Sequence, residues 1–419
     1  MPAALSAARP IAPPAPLAVR QDTRQVWVLV IGAGAVRAAG FSYPFLGYRL
    51  SDLGYTAGGI STVLALYGVG WLAGQIVWGR LSDMVGRRTT LVSAMLMAAV
   101  VLPCLAGATN PITMGICAVL AGSVFDAPRP VVSAVVADHV DNADARARVT
   151  GWRHFAINIG AAVTGATGGL LAGTTGLPAL FWVNAVACAA FALVAFRCMS
   201  PGRPSHAPSA GSRSDYRVAL HDTRLWLLWA ASVCTLTPLA GLFSIMPLLM
   251  TNAGLPASAY GWTQVASAAA VLLLSIPLNG WLARRACSSS MVKLLAASAL
   301  VLGAGIGSAG CATTSWQYAA AAAAAVPGEI VAIVAATAVL DSITPPHARG
   351  LYAGIWGSTL ATAIICAPVL AGWSLTHGGP QLVTLMTFAC GAVGAAICLP
   401  LGRLLRQADV PQRARPLHR

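Results

Sequence analysis

Apolar runs of about twenty residues, the length needed to cross a bilayer core, recur along the chain with short polar stretches between them. They fall at about 26–48, 57–78, 89–108, 112–137, 155–173 and 178–198, and again at 225–250, 260–283, 291–311, 316–340, 353–373 and 382–401. Between the sixth and seventh runs, 200–224 is rich in Pro, Ser, Gly and Arg, a linker composition. The pattern predicts an all-α membrane protein of twelve transmembrane helices in two six-helix bundles. The expected divisions are a disordered cytoplasmic tail 1–25, a bundle 26–199, a cytoplasmic linker 200–224, a bundle 225–402 and a basic cytoplasmic tail 403–419.

Composition sharpens this. The chain is 57% hydrophobic and 9% charged, against about 25% charged residues in soluble domains. Its formal charge of +14 would suggest nucleic acid in a soluble protein, but the basic residues sit between apolar runs and in the tails. Placing the N-terminus in the cytoplasm puts 23 of the 26 basic residues on that side, so the positive-inside rule selects cytoplasmic N- and C-termini, and a multi-pass protein of the plasma membrane is expected. Nucleic acid is not expected as a partner; a lipid bilayer and a small-molecule substrate are, with a monomer as the functional unit. The cysteines lie mostly inside apolar runs and read as small core residues.

The two halves echo each other. Asp138, Arg146 and Gly151 recur as Asp341, Arg349 and Gly354, each displaced by 203 residues. Internal repeats of this kind mark many transporters. The same displacement relates Asp126 to Glu329, the one glutamate in the chain.

These two acids, with Arg37 and Arg129, are charges the bilayer should have excluded. Each costs at least about 2.5–3.5 kcal/mol at mid-span and calls for a partner, a wet cavity or a function. Asp126 and Arg129, three apart, share a helical face and can neutralise each other, so a structural ion pair and a functional one both fit. Arg37 can pair with Asp126 across helices. Glu329 has no basic residue within a turn, so its carboxyl is either protonated or faces water or Arg37. A carboxyl whose proton comes and goes with solvent exposure is what proton coupling needs. In the seventh run Thr235, Thr237 and Ser244 could face a substrate or bond their own backbone.

Gly79-Arg80-Leu81-Ser82-Asp83-Met84-Val85-Gly86-Arg87-Arg88, between the second and third runs, resembles the signature loop of the major facilitator superfamily, G-x-L-x-D-R-x-G-R-R, with Met84 at the usual Arg. The resemblance implies a gate latch in which Asp83 faces the start of the eleventh span while Arg87 and Arg88 reach Asp138 or other acceptors. Gly151, Gly160, Gly168 and Gly169 are similar to that superfamily's antiporter pattern G-x8-G-x3-G-P-x2-G-G, with Thr164 at a Gly position and Gly165 at the Pro. Gly122 to Arg129 is similar to a G-x-x-F-D-x-P-R segment of its multidrug exporters. Taken together, the resemblance is to the twelve-helix drug:proton antiporter group. It implies proton-coupled export of small amphipathic organic compounds by alternating access, with spans one, four, seven and ten lining the cavity. An uptake symporter for a polar metabolite is the alternative, and a membrane enzyme or sensor a distant one. No catalytic constellation, metal cluster or cofactor motif is found. Gly305, Gly307 and Gly310 spell G-x-G-x-x-G but lie inside an apolar run, without the strand and later acid that dinucleotide binding requires. The only energy source expected is the proton gradient.

Overall fold

The computed structural model describes residues 22–139, 143–200, 213–284, 288–345 and 348–413, and they are helical almost throughout, with no strand among them. Among the described residues, eleven continuous or broken helices are long and apolar enough to cross a membrane. The last, Leu351–Gln407, holds two spans, because Gly379 (φ 66°, ψ −163°) interrupts the helix. The chain therefore makes twelve spans in two pseudo-symmetric six-helix bundles.

Three spans are broken, and each break lies just before a proline. Span one is two helices, Asp22–Ala38 and Ser42–Asp52; span four is Pro111–Phe125 and Pro128–His139. Span seven is Thr223–Ala240, a 3₁₀ turn Gly241–Phe243, and Ile245–Asn252. Pro44, Pro128 and Pro247 lack the N–H that a continuous helix would use, and the proline ring crowds the carbonyl four residues earlier. Those carbonyls fall at residues 40, 124 and 243, where the helices part. Pro327 sits inside span ten, yet that helix runs unbroken from Ser315 to Ile343.

In lipid, carbonyls freed by a break need other donors. Thr164 gives its hydroxyl to Arg37 O at 2.6 Å and Ala38 O at 3.0 Å. At span four, Gln75 Nε2 donates to Asp126 O (3.2 Å) and Trp78 Nε1 to Ser123 O (2.8 Å). At span seven, Tyr260 donates its hydroxyl to Leu242 O (3.2 Å).

The repeat is also visible in the turns. Gly176 (φ 81°) and Gly379 (φ 66°) precede spans six and twelve, again 203 residues apart. Gly54 (φ 79°) and Gly254 (φ 71°) end spans one and seven, 200 apart. Their positive φ is open to glycine and disfavoured for residues with a Cβ. Between the breaks and these glycines the second half is one turn shorter, with Ile245–Asn252 of 8 residues against Ser42–Asp52 of 11.

The halves join through span five against span eight and span two against span eleven. The contact is made by small residues and rings. A Cβ added at Gly169 would stand 2.9 Å from Ser258 Cα, and Phe45 meets Tyr260 edge-on at 5.5 Å.

Candidate functional site

A cavity of about 160 Å³ opens at the break in span four. Apart from Leu360, every residue lining it comes from spans one to six or, in Arg153, from the turn of helix just before span five. Its apolar wall is aromatic: Trp71 and Tyr67 pack against Phe125 with ring centroids 5.0 and 5.6 Å away, and Tyr43 backs Tyr67 at 5.0 Å. The Tyr67 and Ser42 hydroxyls are hydrogen-bonded at 3.0 Å.

Three of the four intramembrane charges read from the sequence meet here. Asp126 occupies the break itself, and its Oδ2 lies 3.4 Å from Arg129 Nη1, with 27% of the Asp126 side chain and 44% of the Arg129 side chain exposed. The pair expected from the three-residue spacing forms across a turn that interrupts the helix. Arg37 does not join it. Its guanidinium lies 5.2 Å from the Phe125 ring centroid and 5.5 Å from that of Phe243, one ring from each half, both at helix breaks. At these distances a cation is held by the ring faces.

Glu329 stands elsewhere. It is half-buried in span ten beside Val326 and Ile330, which pack on Val271 of span eight, and it does not line the cavity. Among the described residues it has no hydrogen-bond or ion-pair partner, so the option of a carboxyl facing Arg37 is not the arrangement found.

The sequence reading missed several participants. Arg153 lines the cavity and donates to Ser133 Oγ at 2.6 Å and Arg129 O at 3.4 Å. Burial first, and the charge of Arg129 next, push its guanidinium below the ordinary arginine value. Asn184 also lines the cavity, with a buried Oδ1 that accepts no hydrogen bond. Arg153 reads in sequence as one more basic residue at a span end. The aromatic wall left one trace, Tyr67 and Trp71 four apart.

In the signature loop, Arg87 bonds both the Asp83 carboxylate and, at 2.9 Å, Ser82 Oγ. Asp83 is 64% exposed, held within its own loop. Gly86 takes φ 99° at the start of span three, Gly79 is uncrowded, and Arg88 lies 4.3 Å from the Phe196 ring. Asp138 and Gly151 lie outside the residues whose side chains and surroundings are described.

The span-five glycines are contact points. Gly160 backs onto span one at Gly34 and Ala38; Gly165 and Gly169 meet span eight at Gln264, Gly261 and Ser258; Gly168 faces Phe45 and Phe41. Thr164, at a glycine position of the motif, is the donor that props the break in span one. Thr235, Thr237 and Ser244 bond carbonyls of their own span at 2.7, 2.8 and 3.2 Å. Gly305 and Gly307 pack against Ala325 and Thr384 of neighbouring helices, as span-packing glycines do.

A family model described as Major Facilitator Superfamily matches residues 27–328 and 240–419. Among solved structures, the peptide transporter POT in complex with sulfate superposes with a TM-score of 0.73 at 15% identity, covering 92% of this chain and 94% of that one. The nucleoside transporter NupG gives 0.69 at 11%, over 92% and 99%. An inward-facing, unoccupied bacterial homolog of the human lysosomal transporter Spinster gives 0.68 at 12%, over 95% and 99%. At these identities the likeness is one of fold. An uncharacterized transporter of Schizosaccharomyces pombe is 34% identical over 79 residues, 19% of this chain and 15% of that protein.

Proposed function

This chain belongs to the Major Facilitator Superfamily, and on that premise we propose that it exports small amphipathic organic compounds in exchange for protons, by alternating access, as a drug:proton antiporter. It works as a monomer in the plasma membrane with both termini cytoplasmic, and it draws on the proton gradient without a cofactor. The observation that carries the reading is the Asp126–Arg129 pair at the break of span four, in a cavity walled by Trp71, Tyr67 and Phe125. Rings supply a broad apolar contact, and the carboxylate supplies a charge whose partner can be exchanged.

Coupling falls to Glu329. Glu329 is an acid in a span with no hydrogen-bond or ion-pair partner among the described residues, and a change of access that brings water or a cation to it moves its proton. Asp83, bonded to Arg87 of its own loop, is the inner-gate latch of this reading.

Everted membrane vesicles energised to acidify their interior test this. A lipophilic dye or antibiotic should accumulate inside them, and collapsing the proton gradient should abolish the accumulation. Accumulation by right-side-out cells on energisation would instead establish the uptake symporter.

A further inference from the structure

Resting on that transport reading, we infer that the compound the cavity accepts is an organic anion with a planar aromatic body, its acid group taken by Arg37. The first ground is charge. Three guanidiniums (Arg37, Arg129, Arg153) and one carboxylate (Asp126) line the cavity, a formal excess of two positive charges. Asp126 is spoken for by Arg129. Among the described residues, Arg153 donates to a hydroxyl and a backbone carbonyl, and Arg37 meets rings and no hydrogen-bond acceptor.

A guanidinium carries five N–H donors in a fixed fork that matches a carboxylate bidentately. Those of Arg37 find no acceptor among the described side chains, while the two flanking rings hold the group in place. A cation set over aromatic faces, with its donors free, is prepared for an oxyanion. It also repels a cationic ligand, which would have to sit within a field that already has excess positive charge.

The second ground is shape. About 160 Å³ is close to the 150 Å³ of an engineered cavity that holds one benzene molecule. Trp71, Tyr67 and Phe125 line it as a packed cluster of rings, an apolar lining that suits a ring. A third feature is Asn184, whose buried and unpartnered Oδ1 suits a hydroxyl or N–H on the ligand.

The test uses the full-length protein in detergent and in proteoliposomes, with three near-isosteric probes: phenylacetate, phenylacetamide and phenethylamine. Equilibrium binding should rank the anion about tenfold or more ahead of the neutral amide, the amine last, since a hydrogen bond to a charged partner is worth that much. Arg37→Gln should erase the preference for phenylacetate over the amide, while Arg37→Lys should keep part of it. Arg153→Gln should narrow the preference in protein whose Arg37 is intact, so the inference is still exposed if Arg37→Gln fails to fold. Equal binding of the three probes, a lead for the amide or amine, or an anion preference that survives Arg37→Gln would each overturn the proposal. Binding needs no gradient and judges the anion assignment. Flux judges the export reading: a gradient-driven dye with no phenylacetate binding refutes only the anion, and phenylacetate binding with no gradient-driven flux of any compound refutes only the transport.

Discussion

The two halves of this protein share a plan and differ in their chemistry. Asp126 and Glu329 stand 203 residues apart, as do the prolines at the breaks of spans one and seven, Pro44 and Pro247. Yet the first acid sits at a break, in a cavity, beside a guanidinium, and the second sits in a continuous helix with no partner among the described residues. The same displacement carries Arg37, Arg129 and Arg153 to Ala240, Ala332 and Trp356. Every cation of the cavity has an uncharged counterpart. The helix crossings differ too. Span two meets span four through Gly70, Gly74 and Gly122, whose backbones touch Val119, Ser123 and Tyr67, whereas spans eight and ten meet through Val271, Val326 and Ile330. Duplication supplied the frame, and divergence gave the charged cavity to one copy and the lone acid to the other.

The harshest way to break this contrast is at the crossings. Gly122→Leu would drive a side chain into the Tyr67 carbonyl, and overpacking of that kind costs about 3 kcal/mol or more, so the yield of monodisperse protein on size-exclusion chromatography should collapse. Val326→Ala in the other half, a cavity-forming change, should lower thermal stability by about 2 kcal/mol and leave the protein foldable.

Next come the acids. Glu329→Gln should keep normal membrane abundance and ligand binding while gradient-driven flux falls about a hundredfold, as expected when a proton-transfer group is lost. Asp126→Asn should cost both flux and stability; with both side chains partly exposed, the stability part is about 1 kcal/mol. Wild-type proton-driven flux in Glu329→Gln would hand the coupling role to Asp126. Asp83→Asn should reduce flux severalfold at unchanged abundance, and unchanged flux would remove the latch from the mechanism.

The smallest effect concerns Asp222, which caps span seven and accepts from Arg224 Nε at 3.1 Å and the Tyr352 hydroxyl at 2.9 Å. Burial raises its pKa, but the hydrogen bonds from Arg224 and Tyr352 and the charge of Arg224 together hold it below the ordinary carboxylate value of 3.8. A depressed acid stabilises the fold at every pH above its unfolded value and loses that contribution as the pH falls through the folded one. Asp222→Asn should therefore lower stability by about 1 kcal/mol at pH 5–8, with the gap to wild type closing only below about pH 4.

The spans and their repeat were legible because hydropathy and displacement are properties of sequence alone. The breaks were not: Gly40-Phe41 and Asp126-Ala127 are short, and a twenty-residue window averages across them. Pro44 and Pro247 were there to be matched, as were Gly176 and Gly379, but their meaning depends on which prolines a helix tolerates, and Pro327 is tolerated. Arg37, Asp126 and Arg129 stood out as charges in apolar runs. Arg153 did not, since it enters the cavity from a span end, where basic residues are ordinary. Nor could spacing say that Glu329 would lie away from the other three, because that follows from how span ten packs on span eight.

The cavity draws all but one of its lining residues from a single half. Under the proposed function, selectivity and energetics have separate addresses on the chain, in evolutionary terms. Changes in the first six spans can retune what is carried without disturbing Glu329, and changes in the last six can retune the drive without touching the binding wall. A hybrid joining this N-terminal half to the C-terminal half of a close homologue would inherit its ligands from one parent and its response to the proton gradient from the other.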